Sequence, residues 1–128
     1  MLQSHQFRIQ EGVPMNATEY KGHFGEIFAI LLLIIKGYKI LDRRYKTVCG
    51  EIDIIARKRN VIVFVEVKSR KDMGKCYNAI TQRQLNRIQR SSEIFLNQHH
   101  QLGKYFRRYD VILVANWRIP LHIENVSV

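Results

Sequence analysis

Two strand-like apolar runs in the middle of the chain each carry acid where a buried strand ordinarily has none. They are Gly50-Glu51-Ile52-Asp53-Ile54-Ile55-Ala56 and Val61-Ile62-Val63-Phe64-Val65-Glu66-Val67-Lys68. Residues i and i+2 of a strand share a face, so Glu66 and Lys68 point the same way. The polar link Arg57-Lys58-Arg59-Asn60 is short. A tight reversal near Arg59-Asn60 makes the runs an antiparallel hairpin and sets Asp53 opposite Glu66, whereas a slip of one residue would separate them. Like charges facing one another across strands are destabilising, and desolvating them adds several kcal/mol. Lys68 offsets one charge only. A divalent cation held by oxygens, magnesium or manganese, is the economical counter-charge, with Asp53 and Glu66 as ligands and the Val67 carbonyl beside them. The plainer alternative is that both acids sit at strand ends, solvated or paired with arginines.

Asp53 followed by Glu66-Val67-Lys68 resembles the split Asp…Glu-x-Lys signature of the PD-(D/E)xK nuclease superfamily, which includes restriction endonucleases and archaeal Holliday-junction resolvases. Gly25-Glu26, Gly50 to Ala56, Val63-Phe64-Val65-Glu66-Val67-Lys68-Ser69-Arg70 and Arg108-Tyr109-Asp110-Val111 are similar to the blocks of one branch, the bacterial YraN-like predicted endonucleases. The similarity runs from about Tyr20 to near the C-terminus. It implies an α/β, restriction-endonuclease-like three-layer core with a mixed central sheet flanked by helices. It also implies hydrolysis of nucleic-acid phosphodiesters, DNA and branched DNA in repair or recombination included, by a site of Glu26, Asp53, Glu66 and Lys68. Asp53, Glu66, Val67 and Glu26 would hold the metal. Where the family often has a lysine early in the following helix this chain has Gln84, which leaves phosphate contact to Arg83 and Arg87. A binding or assembly protein that keeps the fold without turnover is the reading from a different class, and a homodimer cutting two strands symmetrically is a third.

Composition agrees with a polyanionic partner. A chain of 128 residues has room for one ordinary core, and its formal net charge of +10 with pI near 10.0 favours nucleic acid. A basic solvated surface, or a ribosome-associated protein, fits the same charge. Cys49 and Cys76 have no zinc-type spacing and are too few for a disulfide framework. Residues 1–15 lack the apolar centre of a secretory signal, and the apolar run Ile27 to Ile35 is far short of the ~20 residues a bilayer requires. The expectation is therefore a cytoplasmic protein without membrane contact. Its residues 1–15 would form a loose extension, 16–128 a single domain, and Ile27 to Ile35 a buried helix.

Signals along the chain place the remaining elements. Asn16 with Glu19 predicts a capped helix start and Gly37 its end, so helix one covers about Thr18 to Lys36. Gly22, Gly25, Glu26, Ala29 and Leu33 share one of its faces, which lets it approach the sheet closely while presenting one carboxylate. A solvated Glu26 fits that spacing nearly as well. A strand near Tyr38 to Tyr45 precedes the two motif strands, and a loop near Lys71 to Lys75 follows them. Helix two covers about Asn78 to Asn97 with Ile80, Leu85, Ile88 and Phe95 inward. Arg83, Asn86, Arg87 and Arg90 form a basic stripe that, with Arg70, could track a phosphate backbone or simply be solvated. Tyr109 to Ala115 predicts the last clear strand, with Asp110 anchoring structure or orienting Arg107 or Arg108. Trp117 and Pro120 mark an irregular or edge segment, the tail adds a short strand, and His99-His100 is a polar helix end.

Overall fold

The computed structural model describes residues 17–70, 81–115 and 119–126, with the backbone alone at 17–24 and at 70. Helix α1 (Ala17–Ile35) leads into the hairpin of β1 (Lys39–Thr47) and β2 (Gly50–Lys58). Then come β3 (Val61–Arg70), helix α2 (Gln82–Gln98), a 3-10 turn (His100–Leu102), β4 (Phe106–Ala115) and the short β5 (Leu121–Ile123). The five strands form one sheet in chain order. Neighbours are antiparallel except β3 and β4, which run parallel and are joined by the connection that carries α2. The result is a mixed α/β fold with a helix against each face of the sheet.

The alternation of β2 and β3 sorts the core. Ile54, Ala56, Val63 and Val65 pack with Ala29 and Leu33 of α1, together with Ile112 and Val114. Ile55, Ile62 and Phe64 pack with Ile88 and Phe95 of α2. The Phe95 ring stands edge-on to both Phe64 and Tyr45, geometry that adds to its area burial. Helix one ends as its glycine predicts. Gly37 takes φ +92°, its N–H reaches Ile34 and the Tyr38 N–H reaches Leu33, a Schellman closure that spends two otherwise orphaned carbonyls. The expected cap at Asn16 lies outside the described residues, as do the loop near Lys71, Ile80, Cys76 and Trp117. Helix two opens instead on Thr81, whose side chain accepts from the Gln84 N–H while the Gln84 side chain accepts from the Thr81 N–H.

Three expectations need correction. The run Ile27 to Ile35 is helical but not a buried helix: Ala29 and Leu33 are fully buried, while Ile27, Phe28, Leu31, Ile34 and Ile35 face outward. The sheet covers only one side of α1, so a helix apolar all round is left half dressed. The last long strand begins at Phe106, three residues ahead of Tyr109. Its partner β3 extends the parallel ladder back to the pair Val61 and Phe106, and the exposed Phe106 and Arg107 hide that extension from any apolar pattern. His99 is buried rather than polar surface, stacked on Phe95 with its Nδ1 at 2.7 Å from the Phe95 carbonyl.

Candidate active site

The β2–β3 hairpin turns on Arg59 and Asn60, as the sequence predicts, with Lys58 paired to Val61 and Arg59 at φ 54°. That register carries Ile54 opposite Val65 and would place Asp53 opposite Glu66, yet the ladder stops at Ile54 and Val65. The strands part there, and side chains fill the gap. Asp53 Oδ2 accepts a hydrogen bond of 2.8 Å from the Val67 N–H, standing in for a missing backbone partner. Because a residue's N–H and C=O leave an extended strand on the same edge, the Val67 carbonyl is directed to that gap as well. Lys68 Nζ lies 3.2 Å from Glu66 Oε1, both side chains largely buried. Their i and i+2 spacing brings them to the face of the sheet that α2 covers.

Burial is the main force on Asp53, pushing its carboxyl up to about 8. The Glu66 charge adds to this, the Val67 N–H works against it, and Glu26 contributes a further push, while the protonated form shares a hydrogen bond with Glu66. Two carboxylates are thus held together with less positive charge than they require. That is the donor set a hard divalent cation fits: two carboxylates and a carbonyl edge, with water to complete the shell. Among the described residues no three His, Cys, Asp or Glu side chains converge closely enough to form a metal cage by themselves, so Glu26 is not brought together with Asp53 and Glu66 as a third ligand.

Glu26 occupies a different position from its fellow acids. It is buried on α1, and its Oε2 receives Arg44 Nε at 2.9 Å, with Arg43 at 3.8 Å. Arg44 takes φ 52°, uncommon for a residue with a Cβ, in a strand that already carries a bulge between Ile40 and Asp42. Glu26 therefore acts on Asp53 through space while its own charge is answered by arginines. The sequence reading missed Arg43 and Arg44; neighbouring side chains of a regular strand point to opposite faces, and the left-handed backbone at Arg44 breaks that alternation. The close approach expected of the small residues of α1 is present at Gly25, where a Cβ would stand 3.4 Å from the Ser69 Cβ.

Beside Glu66 lies a small cleft of about 150 Å³ lined by Gly50, Glu51, Glu66, Gln84, Arg87 and Ile88. Arg87 is the one member of the predicted basic stripe among those lining residues. Arg83 and Arg90 are exposed on α2, and the side chain of Arg70 lies outside the described residues. Gln84 is the N3 member of the capping box, which commits its side chain to the helix start. A larger hollow of about 470 Å³, lined by Tyr45, Lys46, Thr47, Val48, Ile94 and Gln98, holds none of the predicted site residues. Size is thus a poor guide to the chemistry here.

Asp110, a further acid of the motif blocks, is a structural anchor. Arg108 grips it with two bonds of 2.9 and 2.8 Å, His122 Nε2 donates at 2.7 Å and the Asn125 N–H at 3.0 Å. Among the described residues no helix is long and apolar enough to cross a membrane.

Comparison with known proteins gives a consistent result. The model of the uncharacterised protein family UPF0102 matches residues 25–114. A UPF0102 protein of Mesorhizobium japonicum is 42% identical over 105 residues, covering 82% of this chain and 84% of the relative. One from Bradyrhizobium is 44% identical over 102 residues, with 80% and 75% covered. One from Agrobacterium fabrum is 38% identical over 105 residues, with 82% and 86% covered.

Proposed function

The chain belongs to the uncharacterised protein family UPF0102, and from that premise we propose that it is a metal-dependent endonuclease with a restriction-endonuclease-like core, hydrolysing phosphodiester bonds of DNA. The observation that carries this reading is the parting of β2 and β3 at Asp53 and Glu66. Two half-buried carboxylates share a gap in the ladder, the nearer cation is Lys68 at 3.2 Å from Glu66, and Asp53 is left with its proton affinity raised to about 8. A fold under selection for stability alone has no use for such a pair, since apolar replacements of buried charge are often neutral or better.

In this reading Asp53, Glu66 and the Val67 carbonyl hold magnesium or manganese. The bound ion would polarise the phosphate and lower the pKa of its water. Glu66 orients the Lys68 ammonium, which is a donor only. Lys68 thus would place the attacking water and stabilise negative charge on the phosphoryl oxygens, with the water's proton passing to bulk solvent. Asp53 must give up its proton before it can ligate. Glu26, held by Arg44, raises the local negative potential and would help complete the ion's shell. Arg87, at the cleft beside Glu66, meets the backbone phosphate, while Arg83 and Arg90 extend the contact along α2.

The test is cleavage of a panel of linear duplex, single-strand, flap and four-way-junction DNA, plus RNA, with magnesium or manganese. Lys68→Ala should reduce cleavage by about 10²–10³-fold while metal and DNA affinity stay within about twofold of wild type. Metal-dependent products that persist in Lys68→Ala would remove that residue from the chemistry. Tight binding across the panel with no products from wild type would favour the non-catalytic binder.

A further inference from the structure

Among the described residues, the outward face of α1 is an extended apolar surface that the proposed chemistry leaves unused. Ile27, Phe28, Leu31, Ile34 and Ile35 are between 44% and 82% exposed, and every residue from Ile27 to Ile35 is apolar. Isolated exposed apolar side chains are ordinary, but a contiguous patch is not. These five amount to on the order of 500 Å² of apolar surface, the upper part of what a monomer shows. Their spacing identifies the kind of partner. Ile27, Leu31 and Ile34, and equally Phe28, Leu31 and Ile35, follow the alternating three-and-four step of a helix-to-helix seam.

We infer that this face seats a second copy of the chain, α1 packing against α1 about a twofold axis. An isologous contact requires a surface complementary to itself, and an uncharged seam on a straight helix meets that requirement. Charge permits it too. The chain carries +10 overall, so any self-contact must avoid its cations, and no charged side chain interrupts this seam. Lys36, at its end, is occupied: its Nζ donates to His122 Nδ1 at 2.6 Å and lies 3.7 Å from Glu124. Two such faces together would remove roughly 1,000 Å², the lower limit for a specific interface, which points to a dimer of micromolar strength. The basic helix α2 and the cleft beside Glu66 lie against the opposite face of the sheet. The dimer therefore leaves both open, in two copies. The inference does not depend on the proposed chemistry.

Sedimentation velocity of the full chain across the micromolar range is the experiment, run on wild type and on Leu31→Glu and Ile35→Glu, with far-UV circular dichroism and thermal melting to verify folding. Both positions are at least half exposed, so the folded chain should tolerate the changes. The expected result is a concentration-dependent shift from 15.2 kDa to twice that mass in wild type. In each folded variant the dimer should weaken by about tenfold or more, the scale of a hot-spot loss. A wild type that stays monomeric throughout would overturn the inference. So would a dimer that survives both glutamates, or one that forms only after residues 1–16 are removed, because the seam would then belong to the chain's own leading segment.

Discussion

Asp53 and Asp110 lie on strands that flank β3 at nearly the same level, since Val65 pairs with Ile54 on one side and with Asp110 on the other. Burial raises the proton affinity of both, but their neighbours differ. At Asp110 the bonds from His122, Arg108 and the Asn125 N–H outweigh the burial and hold the carboxyl below its ordinary range. At Asp53 the neighbours are Glu66 and Glu26, one N–H opposes them, and the carboxyl is pushed up to about 8. The same side chain in the same sheet is thus an anchor in one place and an unmet demand in the other. Strain that a fold tolerates only where something else will relieve it marks the candidate site better than any cavity does.

The largest effect should come from breaking the satisfied member. Asp110→Ala strands Arg108 and His122 beneath the end of α1, and removal of one partner from a buried charged network costs about 3–5 kcal/mol. Urea unfolding of the metal-free protein would measure it; a loss under ~1 kcal/mol would mean that the network adds little. Asp53→Asn should move the other way. Asparagine is neutral without having to hold a proton that the unfolded chain releases, so the metal-free fold should gain roughly 1–2 kcal/mol near neutral pH, while magnesium affinity falls. An unchanged metal titration, or a destabilised apo protein, would contradict the assignment of Asp53 as the unmet ligand.

The pH dependence sharpens the contrast because the two groups have opposite signs. A folded Asp53 that titrates near 8 holds a proton which the unfolded chain releases at an ordinary carboxyl pKa. Its contribution to stability is complete in acid and is lost as pH rises toward 8. Asp110 titrates lower when folded than when unfolded, so its contribution is complete above the ordinary carboxyl pKa and is lost as pH falls below it. Subtracting the Asp53→Asn stability curve from wild type should leave a decline across about pH 4–8. The same subtraction for Asp110→Ala should leave a change confined to the acid limb. Two difference curves of the same sign would dissolve the comparison.

Much of this was legible in the sequence. The hairpin register follows from the count between the two apolar runs and a two-residue polar turn, which brings Asp53 and Glu66 near one another although the ladder ends one pair short of them. Gly37 marks a helix end that any reader of caps would place. What the sequence does not carry is partnership at a distance. Asp110 is set apart from Asp53 by Arg108 two residues earlier on the same face, as its expected anchoring role has it, but its bond to His122, 12 residues on, has no local signal. The helix Ile27 to Ile35 reads as wholly buried because hydropathy counts residues, not the area of sheet available to cover them. Gln84 shows a third limit: its use in the capping box depends on Thr81, not on the neighbouring arginines.

Glu26 is the smallest test and the finest one, because it joins the two kinds of acid. Its charge is answered by Arg44 at 2.9 Å, as that of Asp110 is by Arg108, yet it still raises the proton affinity of Asp53. Glu26→Gln keeps the shape and a hydrogen-bond acceptor for Arg44 while removing that field. Stability in the absence of metal should change by less than about 1 kcal/mol, the scale of a partly exposed ion pair. The Asp53-dependent decline should move to lower pH without disappearing, since burial and Glu66 remain. Measuring it without metal separates the field of Glu26 from any part it plays in holding ion-bound water. A decline that stays in place would make Arg44 a complete neutraliser and leave Glu26 as structure alone. A decline that moves would show that a carboxylate already paired with arginine still helps keep Asp53 protonated until a stronger cation arrives.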